Sequence, residues 1–128
     1  MIFLDTSVVL DLILLRKDKV ILEELLQKLY QKEEEYGVCI LTVHLVYYFA
    51  KKFGEDLNKV NDWFEAINIL DLNEEDYLFV TANLNVEDME DGLQIACSLR
   101  NNCQKVLTSD KKMQKKYDKF IPVEIFGV

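Results

Sequence analysis

Three aspartates, Asp5, Asp91 and Asp110, are the residues of this sequence best placed to do chemistry. Asp5 follows the apolar run Ile2-Phe3-Leu4 and precedes Thr6-Ser7, while Asp110 follows Val106-Leu107-Thr108-Ser109. Each ends a strand-like run and opens a helix-like one, the place where ligands collect in open α/β sheets. Asp91 stands at the start of a helical stretch, inside Glu87-Asp88-Met89-Glu90-Asp91-Gly92, with Asp88 three residues earlier on the same helical side. Carboxylates gathered at one edge repel and raise one another's pKa unless a cation neutralises them, so they make a poor core and a good hard-metal site. Mg²⁺ or Mn²⁺ suits such oxygen donors and keeps several waters, one of which can become a nucleophile while the metal screens a phosphate. That chemistry is phosphodiester hydrolysis.

Bland alternatives stand beside each of these residues. Asp5 and Asp110, taken singly, are equally well helix N-caps. Glu87, Asp88 and Glu90 suit solvated first-turn acids, with Asp88 an outer neighbour of the site. Ser7 and Thr108 could orient a metal-bound water or touch a phosphate, although hydroxyls at strand-to-helix turns usually satisfy backbone groups first. Asp11 reads as exposed, and Tyr47, Tyr48, Trp63, Tyr77 and Phe79 as core or interface rather than base-stacking platforms.

The elements that must position the acids follow from hydrophobic spacing. Val8, Val9, Leu12, Ile13 and Leu15 give the helix after Asp5 an apolar face, and Leu22, Leu25, Leu26 and Leu29 define a second helix that runs on toward Gly37. Val38-Cys39-Ile40-Leu41 reads as a strand closed by Thr42, followed by helical spacing through Leu45, Val46, Phe49, Ala50 and Phe53. Glu55 to Ala66 reads as a helix, Ile67 to Leu72 as a strand, and Asn73 with its trailing acids as a capped helix start. Met89, Leu93, Ala96, Leu99 and Cys103 share a helical face. Val106-Leu107 reads as a strand, a lysine-rich helix comes after Asp110, and Ile121 to Ile125 reads as an edge strand because Pro122 suits only an edge. Alternating strands and helices of this kind imply an α/β fold, a three-layer α/β/α sandwich around a mostly parallel sheet of four to five strands.

Composition sets the outer bounds. A chain of 128 residues that is 50% hydrophobic is one domain long, residues 1–128, and one proline with four glycines leaves no linker. The longest apolar run, Val8 to Leu15, is broken by Asp11 and falls far short of the roughly 20 residues of a membrane span. The N-terminal residues lack a signal-peptide pattern, which points to a cytoplasmic location. Cys39, Cys97 and Cys103 are too few and too scattered for a structural zinc site and read as buried free thiols. A net charge of −8 argues against bulk electrostatic adhesion to nucleic acid. The charge is uneven: residues 111–119 carry +4, leaving −12 elsewhere, so Lys111, Lys112 and Lys115 are candidates for an RNA-binding face beside Asp110. A solvated helix face would explain the same lysines.

Phe3-Leu4-Asp5-Thr6-Ser7-Val8-Val9-Leu10-Asp11-Leu12 is similar to the opening motif of the PIN domain family, which includes the ribonuclease toxins of VapBC-type toxin–antitoxin pairs. The resemblance extends to Glu90-Asp91-Gly92-Leu93-Gln94-Ile95-Ala96 and Leu107-Thr108-Ser109-Asp110, and so covers nearly the whole chain. It implies metal-binding acids at Asp5, Asp91 and Asp110, a small polar site residue at Ser7, and Mg²⁺- or Mn²⁺-dependent cleavage of RNA. It also implies an antitoxin partner and self-association as a homodimer. Thr42-Val43-His44-Leu45-Val46-Tyr47-Tyr48-Phe49 resembles the family's second motif but carries His44 where a glutamate is usual. No Asp or Glu occurs between Val38 and Gly54 to replace it. His44 is therefore a site candidate that could ligate a softer metal or leave the pocket short of charge. Two further readings compete: a catalytically weakened PIN domain that binds RNA or protein, and a phosphotransfer fold of the haloacid dehalogenase kind. The latter wants a second acid two residues after the first, where Ser7 stands.

Overall fold

The computed structural model describes residues 1–127. Five strands, β1 (Ile2–Leu4), β2 (Tyr36–Cys39), β3 (Asn68–Leu70), β4 (Lys105–Thr108) and β5 (Val123–Ile125), form one sheet in the order β3-β2-β1-β4-β5. All four pairings are parallel. Seven α-helices connect them: α1 (Thr6–Ile13), α2 (Lys19–Gln31), α3 (Ile40–Lys52), α4 (Leu57–Glu65), α5 (Glu74–Asn83), α6 (Met89–Arg100) and α7 (Lys111–Tyr117).

Strand alternation divides the core into the two faces of a sandwich. Ile2, Leu4 and Val38 pack with α1, α2, α3 and α4. Phe3, Cys39, Val106 and Val123 meet Ile95 and Cys97 of α6 and Met113 and Tyr117 of α7. β5 lies at the sheet edge, as Pro122 requires. The chain moves outward from β1 through β2 to β3 and then resumes on the other side with β4. Ligands favour such a reversal at the carboxyl ends of the strands. Asp5 and Asp110 follow the two strands that flank it.

Two boundaries differ from the sequence reading. The second helix ends at Gln31, where Lys32 turns left-handed at φ 55°, so Gly37 is not its stop signal. Gly37 lies within β2, where a Cβ would stand 2.6 Å from the Met1 sulfur and 3.2 Å from Leu70, so the Met1 and Leu70 side chains pack closely over it. Ile40 and Leu41 belong to α3 rather than to the strand. Cys39 caps that helix through its sulfur, which accepts from the Leu41 N–H at 3.3 Å, and this starts the helix two residues early.

Candidate active site

The β1–α1 turn meets the β4–α7 turn through a hydroxyl network centred on Asp5. Its carboxylate is 4% exposed and accepts from Ser7 Oγ at 2.6 Å and Thr108 Oγ1 at 2.8 Å, both on Oδ2. The Ser109 N–H donates to Ser7 Oγ at 3.0 Å and the Asp110 N–H to Thr108 Oγ1 at 3.1 Å, tying the two turns together. Although Asp5 occupies the N-cap position of α1, its side chain makes no capping hydrogen bond. Burial raises its pKa, and the Ser7 and Thr108 hydroxyls oppose that rise without cancelling it.

Asp91, on α6, lies within electrostatic range of these acids. Burial and the charges of Asp5, Glu90, Asp110 and Asp88 push its carboxyl up to about 6, so the acids of three separate segments share one field. Asp110 is exposed, and its Oδ1 caps α7 by accepting from the Lys112 N–H at 2.9 Å. The N-cap reading therefore holds for one oxygen of Asp110. Asp88 forms a 2.5 Å ion pair with Lys116 Nζ, which joins α6 to α7 beside Asp91. That bond, with Asp91 close by, raises the Lys116 pKa. Tyr117 is buried, and its phenol is pushed up by burial and by the charges of Asp91 and Asp88.

His44 sits on the exposed face of α3. The buried face turned toward the site starts at Thr42, whose Oγ1 lies 2.8 Å from Thr6 Oγ1. One helical turn beyond Thr42 stands Leu45, half-buried and outside the apolar clusters of both core faces. Lys111, Lys112 and Lys115 are exposed along α7, immediately after Asp110.

Other site-supporting residues escaped the sequence reading. Asp11 is 6% exposed, contrary to the expectation of solvent: it accepts from Ser109 Oγ and pairs with Arg16 at 3.0 Å, bracing the β4–α7 turn from α1. An acid inside an otherwise apolar run was the available signal. Gln94, fully buried on α6, accepts from the Thr6 N–H through Oε1 at 3.0 Å. Gly92 lets α6 lie close on α5, since a Cβ there would meet Val80 at 3.0 Å.

Among the described residues, no three His, Cys, Asp or Glu side chains stand close enough to grip a single ion. Mg²⁺ is commonly bound through one or two carboxylates with waters completing the octahedron, so the absence of a full cage is compatible with such an ion. The donors are hard oxygens whose charges raise one another's pKa, and they fit a water-retaining divalent cation better than a caged one. A separate cleft lies between α2 and the sheet, lined by Ile2, Tyr36, Lys105 and Glu124 together with Leu25 and Phe126; it contains none of these aspartates.

A parallel α/β sandwich with acids at its topological switch point defines the class. A family model for the PIN domain matches residues 2–119, and the chain belongs to that family. Two solved structures share its fold across nearly their full length. One, described as a toxin–antitoxin complex from Klebsiella pneumoniae, is 15% identical with a TM-score of 0.68, over 97% of this chain and 96% of that one. The other, described as VapBC2 from Rickettsia felis bound to a DNA fragment from its promoter, is 14% identical with a TM-score of 0.71, over 98% and 99%. No curated protein matches the sequence.

Proposed function

We propose that the chain is a metal-dependent ribonuclease of PIN type, acting as the toxin of a toxin–antitoxin pair. The observation that carries this reading is the field around Asp91, where burial and four neighbouring acids hold a carboxylate up to about 6 beside the buried Asp5. Membership of a family of divalent-metal nucleases supports the same conclusion.

In this mechanism Asp5, Asp91 and Asp110 would hold one or two Mg²⁺ or Mn²⁺ ions, with waters completing their shells. The ion, when bound, would supply an activated water and screen the negative phosphate. Ser7 and Thr108 fix the Asp5 carboxylate through Oδ2, which would leave Oδ1 for an ion. Asp110 keeps one oxygen on the α7 cap and offers the second. Lys111, Lys112 and Lys115 draw the RNA backbone toward an otherwise acidic molecule. The partner is a small antitoxin that covers the acidic cleft, in keeping with the toxin–antitoxin complexes that share the fold. A second copy of this chain is a further partner implied by the family.

Mn²⁺ titration by calorimetry beside cleavage of a mixed RNA tests the reading. Asp5→Asn, Asp91→Asn and Asp110→Asn should each lower metal affinity and activity together. A native protein that neither binds Mn²⁺ nor cleaves RNA would favour the second reading, a PIN domain that binds RNA or protein without cutting. That reading draws on His44 standing where a glutamate is usual, with no acid between Val38 and Gly54, and on the net charge of −8.

A further inference from the structure

Among the described residues, Gln94 is the one amide side chain that crosses from the helix of Asp91 to the turn of Asp5. Its side chain is fully buried, three residues and so nearly one helical turn after Asp91. Oε1 accepts the Thr6 N–H at 3.0 Å, while Nε2 has no partner among the described residues. A buried donor without a partner costs on the order of 1–3 kcal/mol, so an apolar side chain would fill this space with less penalty unless the Thr6 contact has value.

The value lies in how the turn of Asp5 is anchored. The first N–H groups of a helix have no partner within it, and an aspartate at the N-cap ordinarily satisfies that of the second or third helical residue, which leaves the first, here Thr6, to a partner from elsewhere. Here Asp5 stands at the N-cap of α1 in extended conformation, φ −66° and ψ 152°, yet makes no capping hydrogen bond. Its carboxylate instead faces Ser7 and Thr108, and the Thr6 N–H is served from another helix. The Thr6 hydroxyl is held in turn by Thr42 of α3. The turn is thereby fixed from α6 and α3, in addition to the bonds that the Asp5 carboxylate accepts from Ser7 and Thr108.

We propose that Gln94 is a positioning residue of the acidic site: from α6 it caps the first N–H of α1, holds the turn that carries the Asp5 carboxylate in place for a divalent cation, and sets Asp5 against Asp91. The ion-binding part of this proposal rests on the metal-dependent reading above; the hydrogen bond does not. Replacing Gln94 with methionine keeps the volume and removes the acceptor. The Thr6 N–H is then left without its acceptor, and the turn that carries Asp5 loosens.

The test compares the full chain with Gln94→Met, Gln94→Glu and Ile95→Val. The last trims a fully buried neighbour in the core without touching the turn. Mn²⁺ affinity is read by calorimetry and Thr6 amide exchange by NMR in the metal-free protein, with melting temperature as the check on folding. Loss of an outer partner of a metal ligand typically weakens binding by about 10–100-fold, and Gln94→Met should fall in that range with faster Thr6 exchange. Gln94→Glu, which keeps an acceptor, should retain slow Thr6 exchange, and Ile95→Val should leave both readouts near native. If Gln94→Met weakens Mn²⁺ binding no more than Ile95→Val does, Gln94 is only a packing residue and the proposal is overturned. If Thr6 exchange is unchanged in Gln94→Met, the cap itself is wrong. A native protein that binds no Mn²⁺ defeats the ion-binding role and the nuclease reading together, and Thr6 exchange then decides whether the cap exists.

Discussion

Asp91 is a carboxylate that the folded chain holds at a disadvantage. Its pKa, raised from 3.8 to about 6 by burial first and by Asp5, Glu90, Asp110 and Asp88 after it, means that the folded state keeps a proton the unfolded state has already released. Stability of the metal-free protein should therefore be fully supported below about pH 4 by this group and fall as pH rises toward 6, with the penalty complete above that. Asp5, raised by burial, acts in the same direction. Asp91→Asn at pH 7.5 without metal should melt higher than the native protein, by on the order of 1 kcal/mol once solvent screening is allowed for. The same variant should lose Mn²⁺ binding. Calorimetric melts with and without Mn²⁺ check both halves, and a lower melting temperature for metal-free Asp91→Asn would remove the electrostatic argument. On α3, His44→Glu should change Mn²⁺ affinity by less than about twofold, because an exposed charge is screened by salt. Leu45→Glu, one turn beyond Thr42, should tighten binding, since affinity for hard cations rises with ligand charge.

Elements matter here through the ties between their ends. Asp11 of α1 braces Ser109 while Thr108 and Asp110 on either side of it serve Asp5 and α7, so one buried acid holds the turn that carries Asp110. Asp11→Ala should destabilise the protein by about 1–3 kcal/mol, because Ser109 and Arg16 lose a buried acceptor. Amide exchange at Ser109 and Asp110 should accelerate well beyond that of β2 or β3, and uniform acceleration would show the brace to be unimportant. Lys116 joins α7 to α6 through Asp88, which sets it apart from the outward lysines of the same helix. Neutralising Lys111, Lys112 and Lys115 should flatten the salt dependence of RNA binding, the slope falling by roughly 0.7 for each phosphate that is no longer neutralised. An unchanged slope would return those lysines to a solvated face.

Across the whole molecule, the sheet order β3-β2-β1-β4-β5 puts the ends of β1 and β4 side by side, so residues 5 and 108 share a hydrogen bond across the chain. The far side of the sandwich has its own anchor. Arg100 binds Asp76, 1% exposed, at 2.9 and 3.0 Å and also reaches the Asp71 carbonyl at 2.6 Å, fastening α6 to α5 and to the end of β3. Arg100→Ala would leave Asp76 buried and unpaired, and breaking such a pair typically costs about 3–5 kcal/mol. Denaturant melts should show that loss, with Mn²⁺ affinity per folded molecule little changed because Arg100 stands at the other end of α6. No described helix is long and apolar enough to cross a membrane.

The sequence by itself determined the alternation of strand and helix, the parallel sheet, the edge placement of β5 and the positions of Asp5, Asp91 and Asp110 at element starts, because periodicity and punctuation are local properties. It misjudged Gly37, whose role depends on Met1 and Leu70 crowding it across the fold. Asp11 was misjudged for the same kind of reason, since only the approach of Ser109 makes a charge tolerable inside an apolar run. His44 matched a motif by residue pattern, and its exposure on α3, two residues from the buried Thr42 that meets Thr6, is set by helix phase. Gln94 looked like one polar residue on an apolar helix, and its partner lies 88 residues away. Side-chain direction and the freedom of a carboxylate from its own helix end are set by long-range contacts, and those are decided only when the layers close.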